Sequence, residues 1–174
     1  PLLPATPAEY NAGMDQKLPR IQRRGARAVP VGAVTIGGDA PVSVQSMTRT
    51  RTADARATLA QLEAPAAAGA DLFRVAVPTR QDTAALGRIV TGSPVPIIAD
   101  VHFHFERAVE AIEAGVAKIR RNPGNISDRD QVRRVISTAA AAGVAIRVGV
   151  NEGSVVERAD ARRRASERTR PLAE

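Results

Sequence analysis

Cysteine is absent from the 174 residues. That excludes disulfides, a thiol nucleophile and a thiolate metal site within this chain, and with them an iron–sulfur cluster held by the usual cysteine ligands. Aromatics are nearly absent too. There is no Trp, and Tyr10, Phe73, Phe103 and Phe105 are the whole set, so a core must be built from Ala, Val, Ile and Leu within the 44% hydrophobic content. The same shortage leaves no platform on which nucleic-acid bases could stack. No apolar run approaches the roughly 20 residues of a membrane span, and the opening residues lack the charged-then-apolar order of a secretory signal. A cytoplasmic location is the expectation.

Lysine is scarce as well: only Lys17 and Lys118. The net charge of +7 and pI of about 11.2 are therefore carried by arginine, much of it in two flanks, Lys17 to Arg27 and Arg158 to Arg170. Such a charge raises an anionic ligand as a partner. No nucleic-acid motif accompanies it.

Residues 1–28 mix Pro, Gly and charge without periodicity and read as a flexible arm. The chain opens on Pro1, which suggests processing or a piece of something longer. From Val29 the pattern changes. Val29, Val31, Val34 and Ile36 alternate up to the turn signal Gly37-Gly38-Asp39, and the run Val42 to Met47 follows, which predicts a hairpin feeding a first buried strand.

Short β-branched runs then alternate with Ala-rich stretches, the signature of βα units on a parallel sheet. The predicted strands are Val42 to Met47, Leu72 to Val77, Pro96 to Val101, Ala117 to Arg120 and Ala145 to Val150. Helices fit between them: one capped by Thr52 or Asp54, one starting at Asp82, one from Phe105 to Ala114, and one capped by Ser127 or Asp128 and running to Ala142. Ala68-Gly69, Ala114-Gly115 and Ala142-Gly143 supply C-terminal stops in which Gly takes the left-handed conformation. Pro65 should kink or shorten the first helix. The prediction is an α/β fold over residues 29–156, either a barrel or an open doubly wound sheet, and an irregular Arg-rich tail over 157–174.

In parallel α/β folds functional groups gather at the C-terminal ends of the strands. Arg74, Arg120 and Arg147 lie within or at the end of apolar strands. Facing one cavity, three guanidinium forks would suit a phosphate ligand; the other reading pairs them with Asp71, Asp100 or Glu113. Asp100, His102 and His104 alternate and share a face in an extended strand. No further His and no Cys exists to complete a metal ligand set. A polar substrate contact from Asp100 and His102 is the better fit, with His104 in solvent at a helix start. Asn122-Pro123-Gly124-Asn125 is a tight turn before a capped helix that can offer backbone N–H groups and an Asn amide.

Together, Val44-Gln45-Ser46-Met47-Thr48, Phe73-Arg74-Val75-Ala76-Val77-Pro78, Ala99-Asp100-Val101-His102-Phe103, Arg120 with Asn122-Pro123-Gly124-Asn125-Ile126, and Ile146-Arg147-Val148-Gly149-Val150-Asn151 with Gly153-Ser154 resemble, in order and spacing, the strand-end motifs of the 4-hydroxy-3-methylbut-2-enyl diphosphate synthase family. The resemblance covers roughly Gln22 to Val155. It implies the first half of a (β/α)8 TIM-type barrel, about five parallel strands after a short hairpin. The family's reaction is the reductive ring opening of 2-C-methyl-D-erythritol 2,4-cyclodiphosphate in non-mevalonate isoprenoid biosynthesis. It further implies that Arg74, Arg120 and Arg147 clamp the diphosphate, that Asp100, His102, Asn122 and Asn151 contact hydroxyl and ring oxygens, and that no catalytic group or metal ligand is supplied here. In the family a separate domain, often from the partner in a homodimer, brings a 4Fe-4S cluster over the barrel mouth. This chain would be inactive alone: a truncated product, a part of a longer enzyme, or a half completed by a complementary chain. Arg121, Glu152 and Pro65 depart from the family pattern, which is lost after Val156. The alternative is a non-catalytic phosphate-ligand or nucleic-acid binding module derived from a barrel fragment.

Overall fold

The computed structural model describes residues 24–102, 104–122 and 128–149. The expected arm and tail lie outside these residues, except for 24–28, which form no regular element. The elements run β1 (Val29–Val31), β2 (Val34–Ile36), β3 (Gln45–Met47), α1 (Ala55–Ala67), β4 (Leu72–Ala76), α2 (Arg80–Gly92), β5 (Ile97–Val101), α3 (Phe105–Glu113), β6 (Lys118–Arg121), α4 (Arg129–Ala142) and β7 (Ala145–Val148). Strands β3 to β7 form one sheet in chain order, every neighbouring pair parallel. This is the predicted βα alternation. Among the described residues no helix is long and apolar enough to cross a membrane.

Three of the four helix starts have a side-chain acceptor for the orphan N–H groups of the first turn; α3, with His104 as N-cap, has none. Asp54 accepts from Ala57 N at 3.0 Å, and Asp128 accepts from Asp130 N and Gln131 N. Thr52, the other candidate for the first cap, instead donates to Ala76 O at 2.6 Å and ties the β3–α1 loop to β4. Helix α2 begins two residues before Asp82, because Thr79 is its N-cap and Asp82 closes the capping box. Asp82 also accepts from Ala53 N at 2.8 Å, so one carboxylate joins two βα loops.

Three helix ends close in the same way. Gly69, Gly115 and Gly143 have φ of +96°, +88° and +66°. The next residue's N–H reaches back five positions: Ala70 to Pro65 O, Val116 to Ala111 O and Val144 to Ala139 O. This double closure satisfies the last carbonyls and turns the chain into the next strand. Pro65 therefore neither ends nor shortens α1, which runs on to Ala67. Its missing N–H forfeits one bond within the helix, while its carbonyl serves in the closing motif.

Strand register fixes which side chains share a face. Phe73, Val75, Ile97, Ala99, Val101 and Ile119 face the helices and, with Leu62, Leu86, Ile89 and Ile112, make the main core; each fully buried aliphatic contributes about 1.5–3 kcal/mol. Arg121, a departure from the expected apolar strand residue, is in register with Val101 and Val148 on this face, where burial lowers its pKa. The other, inner face carries Leu72 and Ile98, which pack with Val31 of the hairpin.

The N-terminal region differs from expectation at two points. The hairpin turn is Gly32-Ala33, between the paired Val31 and Val34, and not Gly37-Gly38-Asp39. Gly38 N instead bonds Ala26 O. A Cβ on Gly32 would stand 2.9 Å from Pro96 Cγ, and its φ is +58°, so packing and backbone both require glycine there. The first strand of the sheet is not buried: Val42 and Val44 are 76% and 56% exposed, and among the described residues β3 has only β4 beside it.

Candidate functional site

The inner face becomes polar toward the C-terminal ends of the strands. Asp100, Arg120 and Arg147 are direct neighbours across β5, β6 and β7. One level lower, Met47, Arg74, Ile98, Lys118 and Ala145 form a row across all five strands. Four cations and one carboxylate thus share one face of a small sheet.

Asp100 organises the cluster. Its side chain is 3% exposed, with Arg120 Nη1 at 3.1 Å from Oδ1 and Arg74 Nε at 3.5 Å from Oδ2. Each carboxylate oxygen therefore holds one arginine. A guanidinium is a planar fork of five N–H donors, and Asp100 orients two such forks side by side. His102 Nδ1 lies 3.4 Å from Asp100 Oδ1 and 3.4 Å from Arg120 Nη1. It can donate to the carboxylate when it carries a proton, or accept from the guanidinium when it does not. Arg74 also donates from Nε and Nη2 to Met47 Sδ at 3.3 and 3.1 Å, which fixes its fork from the β3 side.

The structure thus joins Arg74, Asp100, His102 and Arg120. Of the possible acidic partners, Asp100 alone takes arginines among the described residues; Asp71 accepts from Val44 N. Arg147 is on the same face but exposed and outside the Asp100 cluster. Asn122, just past β6, is buried. His104 is the exposed N-cap residue of α3 and makes no side-chain capping bond. Asn151, Glu152 and most of the Asn122–Asn125 turn lie outside the described residues.

Three contributors were not singled out from sequence. Met47 holds Arg74. Gly149 leaves room for Arg120, since a Cβ there would stand 3.0 Å from Arg120 Nε. Lys118 is buried on the inner face, where burial first and Arg147 second lower its pKa. The signal for Lys118 was available: it shares strand parity with Arg120.

The chain's own residues do not fit an iron–sulfur cluster. It has no cysteine, and among the described residues no group of three or more His, Asp or Glu could hold a metal.

A family model described as the GcpE TIM-barrel domain matches residues 26–174, extending past Val156, where the sequence reading ended the resemblance. Among curated relatives, proteins named 4-hydroxy-3-methylbut-2-en-1-yl diphosphate synthase (flavodoxin) are similar to this chain. Those of Zymomonas mobilis and Ruegeria pomeroyi are 54% and 55% identical over 135 residues, and that of Hyphomonas neptunium is 51% identical over the same length. In each case the match covers 78% of this chain and 36% of the relative. The chain therefore spans about a third of the length of these relatives. They lend no support to a nucleic-acid-binding module.

Proposed function

Because the chain belongs to the family of the GcpE TIM-barrel domain, we propose that its inner face is the substrate-binding half of a 4-hydroxy-3-methylbut-2-enyl diphosphate synthase, taking a cyclic diphosphate at the C-terminal ends of the strands. The observation that carries this reading is the pair Arg74 and Arg120, both held on the buried Asp100 on the inner face. A fixed fork is pre-oriented for phosphate oxygens, so little ordering cost falls on binding.

In this reading Arg74 and Arg120 bind one phosphoryl group, and Arg147, beside Arg120 in register, closes on the other. His102, Asn122 and Asn151 take the hydroxyl and ring oxygens. Asp100 is a positioning residue: it orients both arginines and keeps their charges from repelling each other. Ring opening of 2-C-methyl-D-erythritol 2,4-cyclodiphosphate needs electrons, and the 4Fe-4S cluster that the family resemblance implies finds no cysteine ligand in this chain. The role of these residues is therefore to neutralise and orient the diphosphate. The cluster would be held by residues outside these 174, whether in the remainder of a longer enzyme, a homodimer partner or a complementary chain.

Titration calorimetry of the chain with the cyclic diphosphate tests the assignment. Saturable 1:1 binding is expected, weakened about tenfold or more by Arg120→Met, the loss of one charge-assisted contact. Binding of equal strength in that variant would remove the site from Arg120.

A further inference from the structure

Arg74 is held differently from Arg120. Arg120 hydrogen-bonds Asp100 Oδ1 at 3.1 Å, whereas Arg74 Nε stays 3.5 Å from Oδ2, an ion pair without a short contact. Among the described residues, the hydrogen bonds of the Arg74 guanidinium both go to a sulfur: Nε and Nη2 donate to Met47 Sδ at 3.3 and 3.1 Å. Register makes this possible. Met47 and Arg74 are direct partners across the parallel strands β3 and β4, so two long side chains leave backbones about 4.8 Å apart on the same face and run side by side.

A thioether is a weak acceptor that carries no charge. It can hold the plane of a guanidinium without cancelling its charge, which a carboxylate in the same place could not do. The charge balance of the site depends on this choice. Arg74, Arg120 and Asp100 together carry one net positive charge, and a second acid beside Arg74 would bring it to zero, removing the attraction for an anion. Leucine at this position would keep the charge and lose the hold, so the fork would have to be ordered when a ligand arrives, at a cost in affinity.

We propose that Met47 is a positioning residue for the cyclic diphosphate: its sulfur orients Arg74 toward a phosphoryl oxygen and leaves the whole charge of the guanidinium to the ligand. The proposal rests on the reading of the inner face as a diphosphate site. It adds to that reading a neutral residue that acts through Arg74.

Two measurements on the whole chain separate the hold from its use. Without ligand, heteronuclear NMR reads hydrogen exchange at the Arg74 Nε–H, whose signal is the one missing in Arg74→Lys. Exchange is expected to be slow in the wild type and faster in Met47→Leu, which nearly conserves volume. It should be slow again in Met47→Gln and Met47→Glu, whose side chains offer an oxygen acceptor. With 2-C-methyl-D-erythritol 2,4-cyclodiphosphate, titration calorimetry should show Met47→Leu about fivefold weaker than the wild type and Met47→Gln close to it. Met47→Glu should bind more weakly although its Arg74 is held, because its charge is cancelled. Should Met47→Leu fail to fold, the contrast between Met47→Gln and Met47→Glu decides. The proposal is overturned if Arg74 Nε–H exchanges as slowly in Met47→Leu as in the wild type, if all variants bind equally, or if Met47→Gln binds no better than Met47→Leu or Met47→Glu. Slow exchange in a wild-type chain that binds no ligand would overturn the diphosphate reading itself, and the proposed role in binding with it.

Discussion

Asp100 occupies the most constrained position in the candidate site, a carboxylate 3% exposed between two guanidinium groups. Replacing it with Asn keeps the shape but removes the one negative charge that lies between Arg74 and Arg120. Breaking one side of a buried charge network costs about 3 kcal/mol, and urea unfolding of Asp100→Asn should show a loss of that order. Gly149→Ala acts differently. Its Cβ would crowd Arg120 Nε at 3.0 Å, so the guanidinium must shift while the strand stays intact. Cyclic-diphosphate affinity should fall about tenfold, with an unfolding midpoint close to that of the wild type. Equal affinity in Gly149→Ala would show that the position of Arg120 is not restricted. At this scale the sequence revealed residue types better than contacts. Arg74, Asp100 and Arg120 stood out as charges in apolar strands, but that one carboxylate holds both arginines depends on register across three strands, which no local pattern contains. Met47 and Gly149 were visible as motif letters without a role, for the same reason.

Among the elements, the Gly-terminated helices were the most legible feature, because a left-handed C-terminal residue is a local requirement and Gly meets it. The prediction separates conformation from crowding. Around Gly143 an added Cβ would meet nothing within 4 Å, whereas at Gly32 it would meet Pro96 at 2.9 Å. Gly143→Ala should therefore cost about 1 kcal/mol, the penalty of the left-handed backbone alone. Gly32→Ala should cost more, measurably so in parallel urea titrations; equal losses would show that the hairpin does not press on Pro96. Less legible were the hairpin turn and the first strand. Two glycine turn signals stand five residues apart, and only the packing of Gly32 against Pro96 and Ala117 selects between them. Val42 and Val44 carry strand propensity but precede the ladder, at an edge without a second neighbour. Pro65 stands two residues before the end of α1, where a missing N–H costs the helix little.

Across the whole molecule, one face of the sheet is an ordinary aliphatic core and the other gathers cations around a single carboxylate. This division has a pH signature. Lys118 has its pKa lowered from the ordinary 10.5, so the unfolded chain binds more protons at that position than the folded one. Folding stability attributable to Lys118 then rises with pH through the interval between the lowered value and 10.5. In phosphate-free buffer Lys118→Met should unfold at a higher temperature than the wild type at neutral pH, and its advantage should shrink as the pH approaches the ordinary lysine range. An advantage that stays constant with pH would mean that the ammonium is not the cause. The central claim is that the inner face is already built to take a doubly charged phosphate compound. Thermal unfolding of the chain with and without 2-C-methyl-D-erythritol 2,4-cyclodiphosphate, at low and high salt, tests this most directly, since a ligand stabilises the state that binds it. The account predicts one cooperative transition that the ligand moves upward at both salt concentrations in the wild type and not in Arg120→Met. A transition indifferent to the ligand, or an upward shift of equal size in Arg120→Met, would contradict it.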